Sequence, residues 1–264
     1  MTEPQPFIFD VHLDLSMNAM EWNRDLTQPL EKIRICEANQ TDKPDRSMGT
    51  VCLPEMRKGN VGLCVATQIA RYTKQKNPLP GWHSPAQAWA QSQGQLSWYN
   101  EVERQGELTQ ICNLEQLESH LEKWSTGQNK QLPIGYVLSL EGADSIITLQ
   151  HLESAYEKGL RAIGPAHYGP GTYAPGTGES GPLGNGATEL LREMERLNII
   201  LDVTHLSDTS LDQALDTFSG TVWASHCNCR TLVPGERQLN DHQLKRLIER
   251  GGVIGAALDA WMLI

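Results

Sequence analysis

A chain of 264 residues, 39% hydrophobic and 20% charged, has the makeup of an ordinary globular protein with a sizeable core, and its length is close to the ~250 residues of one (β/α)8 barrel. The formal net charge of −10 disfavours nucleic acid as a partner, since phosphate binding needs clustered Lys and Arg. No apolar run reaches the ~18 residues of a membrane segment, and the start MTEPQPFIFD lacks the basic-then-apolar order of a signal peptide. The six cysteines (Cys36, Cys52, Cys64, Cys112, Cys227, Cys229) are scattered and lack CxxC spacing, so reduced thiols and a cytoplasmic location are expected.

The chain opens on FIFDVHLDL, residues 7–15. A short apolar run bounded by polar residues predicts a buried strand, and alternation of side chains sets His12 and Asp14 on one face at its C-terminal end. An imidazole and a carboxylate at this spacing suit a divalent metal of the zinc type. A strand-end turn, with Asp14 capping a helix that starts near Leu15, would use the same residues without a metal. Ser16–Pro54 is polar and mixed, and predicts one helix near Leu30–Ala38 and a loop through Thr41–Arg46. Residues 61–69, VGLCVATQI, predict a second strand. Ser84 before Pro85 is an N-cap followed by proline in the first turn, opening a helix to Arg104. Leu108–Cys112 is a short strand-like piece and Leu114–Trp124 a helix.

From Leu132 the rhythm becomes regular. Strands are expected at Ile134–Leu140, Leu160–Ala166, Ile199–Thr204, Thr221–Ser225 and Gly252–Leu258. Helices are expected at Ile146–Lys158, Ala187–Leu197, Ser210–Phe218 and Asp241–Arg250, and Gly169–Gly186 is the one long Gly- and Pro-rich loop. Strands alternating with helices of about ten residues argue for parallel βα units joined by right-handed crossovers, hence a single α/β domain of the (β/α)8 TIM type over residues 1–264.

Polar residues recur where these strands end: His12 and Asp14, then Glu141, His167, His205 and His226. A barrel gathers the C-terminal ends of its strands into one pocket, where barrel enzymes carry their chemistry. Singly, each residue has a plainer reading. His205 and His226 could satisfy loop carbonyls, and Glu141 before Gly142 could begin a turn. Jointly they supply enough ligands for two divalent ions, with Glu141 as the natural bridge; two metals ~3.5–4 Å apart would activate a shared water and polarise a carbonyl. The remaining histidines (His83, His120, His151, His242) are expected on the solvated surface.

With these motifs in view, the chain resembles the membrane (renal) dipeptidase family of dinuclear zinc peptidases. The carrying stretches are Asp10-Val11-His12-Leu13-Asp14, Leu140-Glu141-Gly142, Gly164-Pro165-Ala166-His167, Leu201-Asp202-Val203-Thr204-His205-Leu206-Ser207 and Ala224-Ser225-His226, with Gly181-Pro182-Leu183-Gly184 ahead of the helix that leads to Asp202. The resemblance implies two Zn2+, one on His12 and Asp14, the other on His205 and His226, with Glu141 bridging. It implies hydrolysis of a dipeptide by a metal-bridging hydroxide, with His167 touching the substrate and its oxyanion. Arg237 falls where the family grips the substrate carboxylate, a task suited to an arginine fork; Arg230 is the nearest rival. The loop Gly169–Gly186 would close over the substrate, and a homodimer is implied.

The family's eighth strand carries an aspartate in a Gly/Ser-Asp-Phe/Leu-Asp-Gly motif that handles the proton of the bound water. This sequence holds no such motif. The expectation is a barrel lacking its eighth strand and C-terminal helices, with metal ligands present and hydrolysis impaired. Asp259, after the last predicted strand, is expected to be structural. Two alternatives remain: a related barrel amidohydrolase acting on a cyclic amide or lactam, and a non-catalytic metal-binding barrel.

Overall fold

The computed structural model describes residues 6–74, 79–125 and 132–263. The chain forms two compact units, Met1–Gln68 with Gly94–Leu138, and Ile69–Gln93 with Ser139–Ile264.

The first unit holds strands β1 (Ile8–Leu13), β2 (Val61–Gln68), β3 (Leu108–Gln110) and the start of β4 (Ile134–Glu141). Their order is β1-β2-β4, with β3 beside β4, and the described registers are parallel. Around them lie α1 (Leu15–Met20), α2 (Leu30–Glu37), α3 (Leu53–Lys58), the second part of α4 (Pro85–Arg104) and α5 (Leu114–Ser125). β2 is an almost unbroken apolar run, and Leu63, Cys64, Val65 and Ala66 are buried, as a parallel strand covered on both faces requires.

The second unit continues from the end of β4 through β5 (Leu160–Gly164), β6 (Ile200–Asp202), β7 (Val222–Ala224) and β8 (Val253–Ile254), neighbours in that order with parallel registers. Its helices are α6 (Leu149–Glu157), α7 (Ala187–Arg196), α8 (Asp208–Thr217) and α9 (Asp241–Glu249). The βα rhythm expected from Leu132 onward is present. α7 shows why: Ala187, Leu190, Leu191 and Met194 recur at helical spacing and are all buried. The start of α4 is capped as expected, Ser84 Oγ accepting the N–H of Gln87 at 3.2 Å.

Three expectations need correction. Besides the helix expected at Leu30, the stretch Ser16–Pro54 holds all but the first residue of α1 and the first two residues of α3. The helix expected from Ile146 begins at Leu149, a 3-10 turn at Ala143–Ser145 coming first. His120 is not on the surface: it is buried, with Nε2 2.7 Å from the carbonyl oxygen of Gly62. His83 and His242 are exposed and His151 is half-buried.

The polar stretch after α1 is held by a buried ionic network. Glu37 accepts from Arg24 Nε at 2.7 Å, Arg46 Nη1 at 2.8 Å and the N–H of Ser47 at 2.8 Å. Burial alone would raise the Glu37 carboxyl, but these donors outweigh it and take its pKa down to about 2. A depressed carboxyl stabilises the fold above its ordinary value of 4.5, and that contribution is lost as pH falls through about 2. Glu37→Gln is expected to cost ~3 kcal/mol at neutral pH, because it leaves two guanidinium groups short of their counter-charge. It should also flatten the fall of melting temperature between those two pH values; parallel wild-type and variant profiles would refute the assignment.

Candidate metal centre

Of the predicted site residues, His12 and Asp14 belong to the first unit and Glu141, His167, His205, His226 and Arg237 to the second. In the first, β1 pairs Asp10 with Cys64 and Leu13 with Ala66, and the register is irregular between Asp10 and Leu13. Such irregularities re-aim side chains at strand ends. The Asp10 carboxylate accepts the N–H of His12 at 3.1 Å, and burial pushes its pKa up. His12 Nε2 lies 3.4 Å from Asp14 Oδ1. Asp14 stands at the N-terminal boundary of α1 but makes no capping hydrogen bond from its side chain. Its carboxylate instead accepts from the Thr67 hydroxyl. Thr67 is fixed in turn: its carbonyl accepts from Ser16 Oγ and from the Tyr99 hydroxyl, each at 2.8 Å.

In the second unit the centre is Glu141, buried at the end of β4. The next residue, Gly142, takes φ +81°, a left-handed turn that glycine adopts without steric cost. Glu141 Oε1 lies 3.0 Å from His205 Nε2 and 3.4 Å from His226 Nε2; Oε2 lies 3.7 Å from His167 Nε2. Each histidine follows a strand: His167 after β5, His205 after β6, His226 after β7.

Asp202, whose place within the Leu201–Ser207 motif gives no sign of a separate role, aligns two of these strand ends. One oxygen, Oδ1, accepts the N–H of Thr204 at 3.0 Å and the N–H of Ser225 at 3.1 Å. Those residues immediately precede His205 and His226. His205 itself has φ +70°, an uncommon conformation for a residue with a Cβ. Strain of this kind persists where its surroundings over-determine it, and it gathers at functional sites.

The far ring nitrogens are also engaged. His205 Nδ1 is 2.9 Å from the Thr177 hydroxyl and His226 Nδ1 is 2.8 Å from the Ser225 hydroxyl. Hydroxyls can accept an Nδ1–H, which leaves the Nε2 lone pair for a cation. Glu141, His167 and His205 offer ligand atoms within 4.8 Å of one another. Imidazole nitrogen with carboxylate oxygen is a donor set that fits zinc and its neighbours among the divalent transition metals.

The loop Gly169–Gly186 is ordered by its own hydrogen bonds. The N–H of Thr177 donates to the His167 carbonyl at 2.9 Å, and a Cβ on Gly176 would stand 1.8 Å from that oxygen. Buried Asp144 accepts the N–H of Thr172 at 2.7 Å and of Tyr72 at 3.2 Å.

Of the two candidate arginines, Arg230 is bidentate to Asp208 at 2.8 and 2.7 Å. Arg237 is buried beside the histidines. Its Nη2 donates to the His226 carbonyl at 2.9 Å and lies 3.4 Å from His205 Nε2; its Nη1 donates to Cys227 Sγ at 3.3 Å. Burial pushes the Cys227 thiol up, so it presents a neutral sulfur.

Among the described residues, no helix is long and apolar enough to cross a membrane. Residues 4–263 match the model of the membrane dipeptidase family, peptidase family M19. Dipeptidase tcpJ of Claviceps purpurea (strain 20.1) is 29% identical over 136 residues, 48% of this chain and 32% of that protein. Dipeptidase 3 of Mus musculus is 27% identical over 155 residues, 55% of this chain and 31% of that protein. The matches thus span about a third of the length of these two relatives. Among solved structures, a metallo peptidase described as dipeptidase AC superposes with a TM-score of 0.77 at 21% identity, over 99% of this chain and 75% of that one. A metallo peptidase of Rhodobacter sphaeroides, liganded with a phosphinate mimic of the dipeptide L-Ala-D-Ala, gives 0.75 at 20% identity, over 98% and 76%. The fold is of the TIM-type α/β class, and the chain belongs to the membrane dipeptidase family, peptidase family M19.

Proposed function

We propose that this chain is a metal-dependent dipeptidase, and that His12 and Asp14 hold one zinc ion, His205 and His226 a second, with Glu141 bridging. Family membership supports the reading. The observation that carries it is the convergence of three imidazole Nε2 atoms on the buried Glu141 carboxylate, at 3.0, 3.4 and 3.7 Å. Ions so held would lower the pKa of a bound water and polarise the scissile carbonyl.

The remaining work falls to the chain. Glu141 supplies negative charge that attracts and spaces the cations. Thr177 and Ser225 hold the His205 and His226 rings by Nδ1 and keep Nε2 turned to the centre. His167 contacts the substrate and receives its developing oxyanion. Arg237, anchored by the His226 carbonyl, takes the substrate's C-terminal carboxylate. The whole chain acts as one hydrolase domain, in a reducing cytoplasm in keeping with its six free thiols. A homodimer is the assembly that the family resemblance supports.

The test is metal analysis together with a panel of dipeptides. Near two zinc per chain with measurable cleavage is expected, and no zinc binding would refute the reading. His205→Ala should remove metal from one site, and unchanged zinc content would count against its assignment. Thr177→Val is expected to weaken zinc binding by about 10–100-fold, the usual effect of losing an outer hydrogen bond to a ligand. Arg237→Ala should raise KM at least about tenfold for free dipeptides, the loss of a charge-assisted carboxylate contact, and leave dipeptide amides nearly unaffected. An equal effect on both substrates would place the C-terminal carboxylate elsewhere.

A further inference from the structure

Three histidines of the second unit lie against Glu141, yet the partner of the far ring nitrogen is not the same for all three. His205 and His226 present Nδ1 to hydroxyls. His167 presents Nδ1 to a guanidinium: Arg71 Nη2 is 2.5 Å away. A hydroxyl can donate or accept, whereas a guanidinium only donates and keeps its charge at every pH a protein survives. His167 Nδ1 is therefore the acceptor, and the proton of the neutral ring is on Nε2.

Arg71 is built into place for this contact. Its Nη1 donates to the Pro80 carbonyl at 2.8 Å. Its backbone carbonyl accepts the N–H of Trp82 at 2.8 Å, and the N–H of Thr73 donates back to the Trp82 carbonyl at 2.8 Å. Between them, the N–H of Tyr72 donates to Asp144. The His167 end is held as well, by the Thr177 N–H on its carbonyl. Nothing in the sequence marks Arg71, and no comparison assigns it a role.

We propose that Arg71 is a positioning residue that fixes His167 as the Nε2–H tautomer, and thereby sorts the three histidines by task. With a donor on Nδ1 and a proton on Nε2, His167 has no lone pair for a cation. Its Nε2–H is directed to the Glu141 side of the cluster, where it can donate to a carbonyl oxygen gaining negative charge. His205 and His226, whose hydroxyl partners can accept, are free to turn an unprotonated Nε2 to metal. The inference rests on the role given to His167 above, and its chemistry needs no proton to leave the ring: the Nε2–H donates a hydrogen bond and stays bound.

The experiment reads the tautomer directly. The protein with 15N-labelled histidine, loaded with zinc, is compared by long-range 1H–15N NMR with Arg71→Met and Arg71→Lys, the His167 signals being assigned from His167→Gln. Wild type is expected to show His167 protonated at Nε2. Arg71→Met should lose that single-tautomer pattern and, with zinc content unchanged, lose about 10–100-fold in kcat with KM within about twofold, as for loss of an outer hydrogen bond to a working side chain. Arg71→Lys, which restores a cationic donor, should recover the pattern and part of the rate. A wild-type His167 protonated at Nδ1 overturns the proposal, and so does an Arg71→Met protein that keeps both the tautomer and kcat. Should Arg71→Met not fold, the wild-type spectrum and Arg71→Lys decide. A wild type with the Nε2–H pattern but no turnover of any dipeptide sinks the catalytic reading of His167 and leaves its pairing with Arg71 standing.

Discussion

The interaction on which the second unit turns is the meeting of one buried carboxylate with imidazole nitrogens. Glu141 lies at the end of a strand whose last residues are buried throughout. A carboxylate taken out of water is costly unless charge or hydrogen bonds compensate it. Three Nε2 atoms at 3.0 to 3.7 Å are the groups placed to do so, and a divalent cation shared among them would do it more completely. This accounts for the care with which the surrounding backbone is shaped. Gly142 turns immediately after Glu141, His205 is held at positive φ, and Asp202 ties the peptide groups ahead of two histidines to one oxygen.

The strand ends were legible because the signal is local. A run of buried residues closing on a histidine or glutamate, repeated at intervals that fit a helix between, reveals both the βα rhythm and the residues that share one end of the strands. His120 was not legible because its burial has no local cause. It is set on α5 like a surface histidine, and its partner is the Gly62 carbonyl, 58 positions away. Gly135 leaves the space, since a Cβ there would stand 2.7 Å from the same ring nitrogen. α3 is not legible, and α1 only as the helix that Asp14 could cap at Leu15, because helices of six residues have little periodicity to read and draw their stability from packing.

Arg230 and Arg237 show the limit from the other side. They stand seven residues apart in a polar loop, and composition cannot rank them. Contacts do: Asp208 holds the one in a fork at the exposed start of α8, while the other is buried against Cys227 and the His226 carbonyl. Arg71 was invisible for a simpler reason. An arginine following a strand is unremarkable, and only the distance to His167 gives it meaning.

The two units also treat buried polarity differently, and the difference bears on function. In the Arg24–Glu37–Arg46 network each carboxylate oxygen of Glu37 has a donor, so the charges hold one another and the segment after α1 has one low-energy arrangement. In the second unit, among the described residues, the buried side-chain atoms with no hydrogen-bond partner include Thr73 Oγ1, Ser145 Oγ, Trp223 Nε1 and Arg237 Nε. A stable fold leaves few such groups, because each costs about 1–3 kcal/mol. Ser145 closes the turn that follows Glu141, and Arg237 borders the histidines, so both lie near the carboxylate centre in sequence or space. Donors and acceptors left over at a place already crowded with imidazoles are what a site has when its hydrogen-bonding capacity is directed at a bound molecule rather than at its own chain. The first unit's network is complete within its own chain, each Glu37 oxygen meeting a donor, whereas the second unit gathers its imidazoles around a single carboxylate.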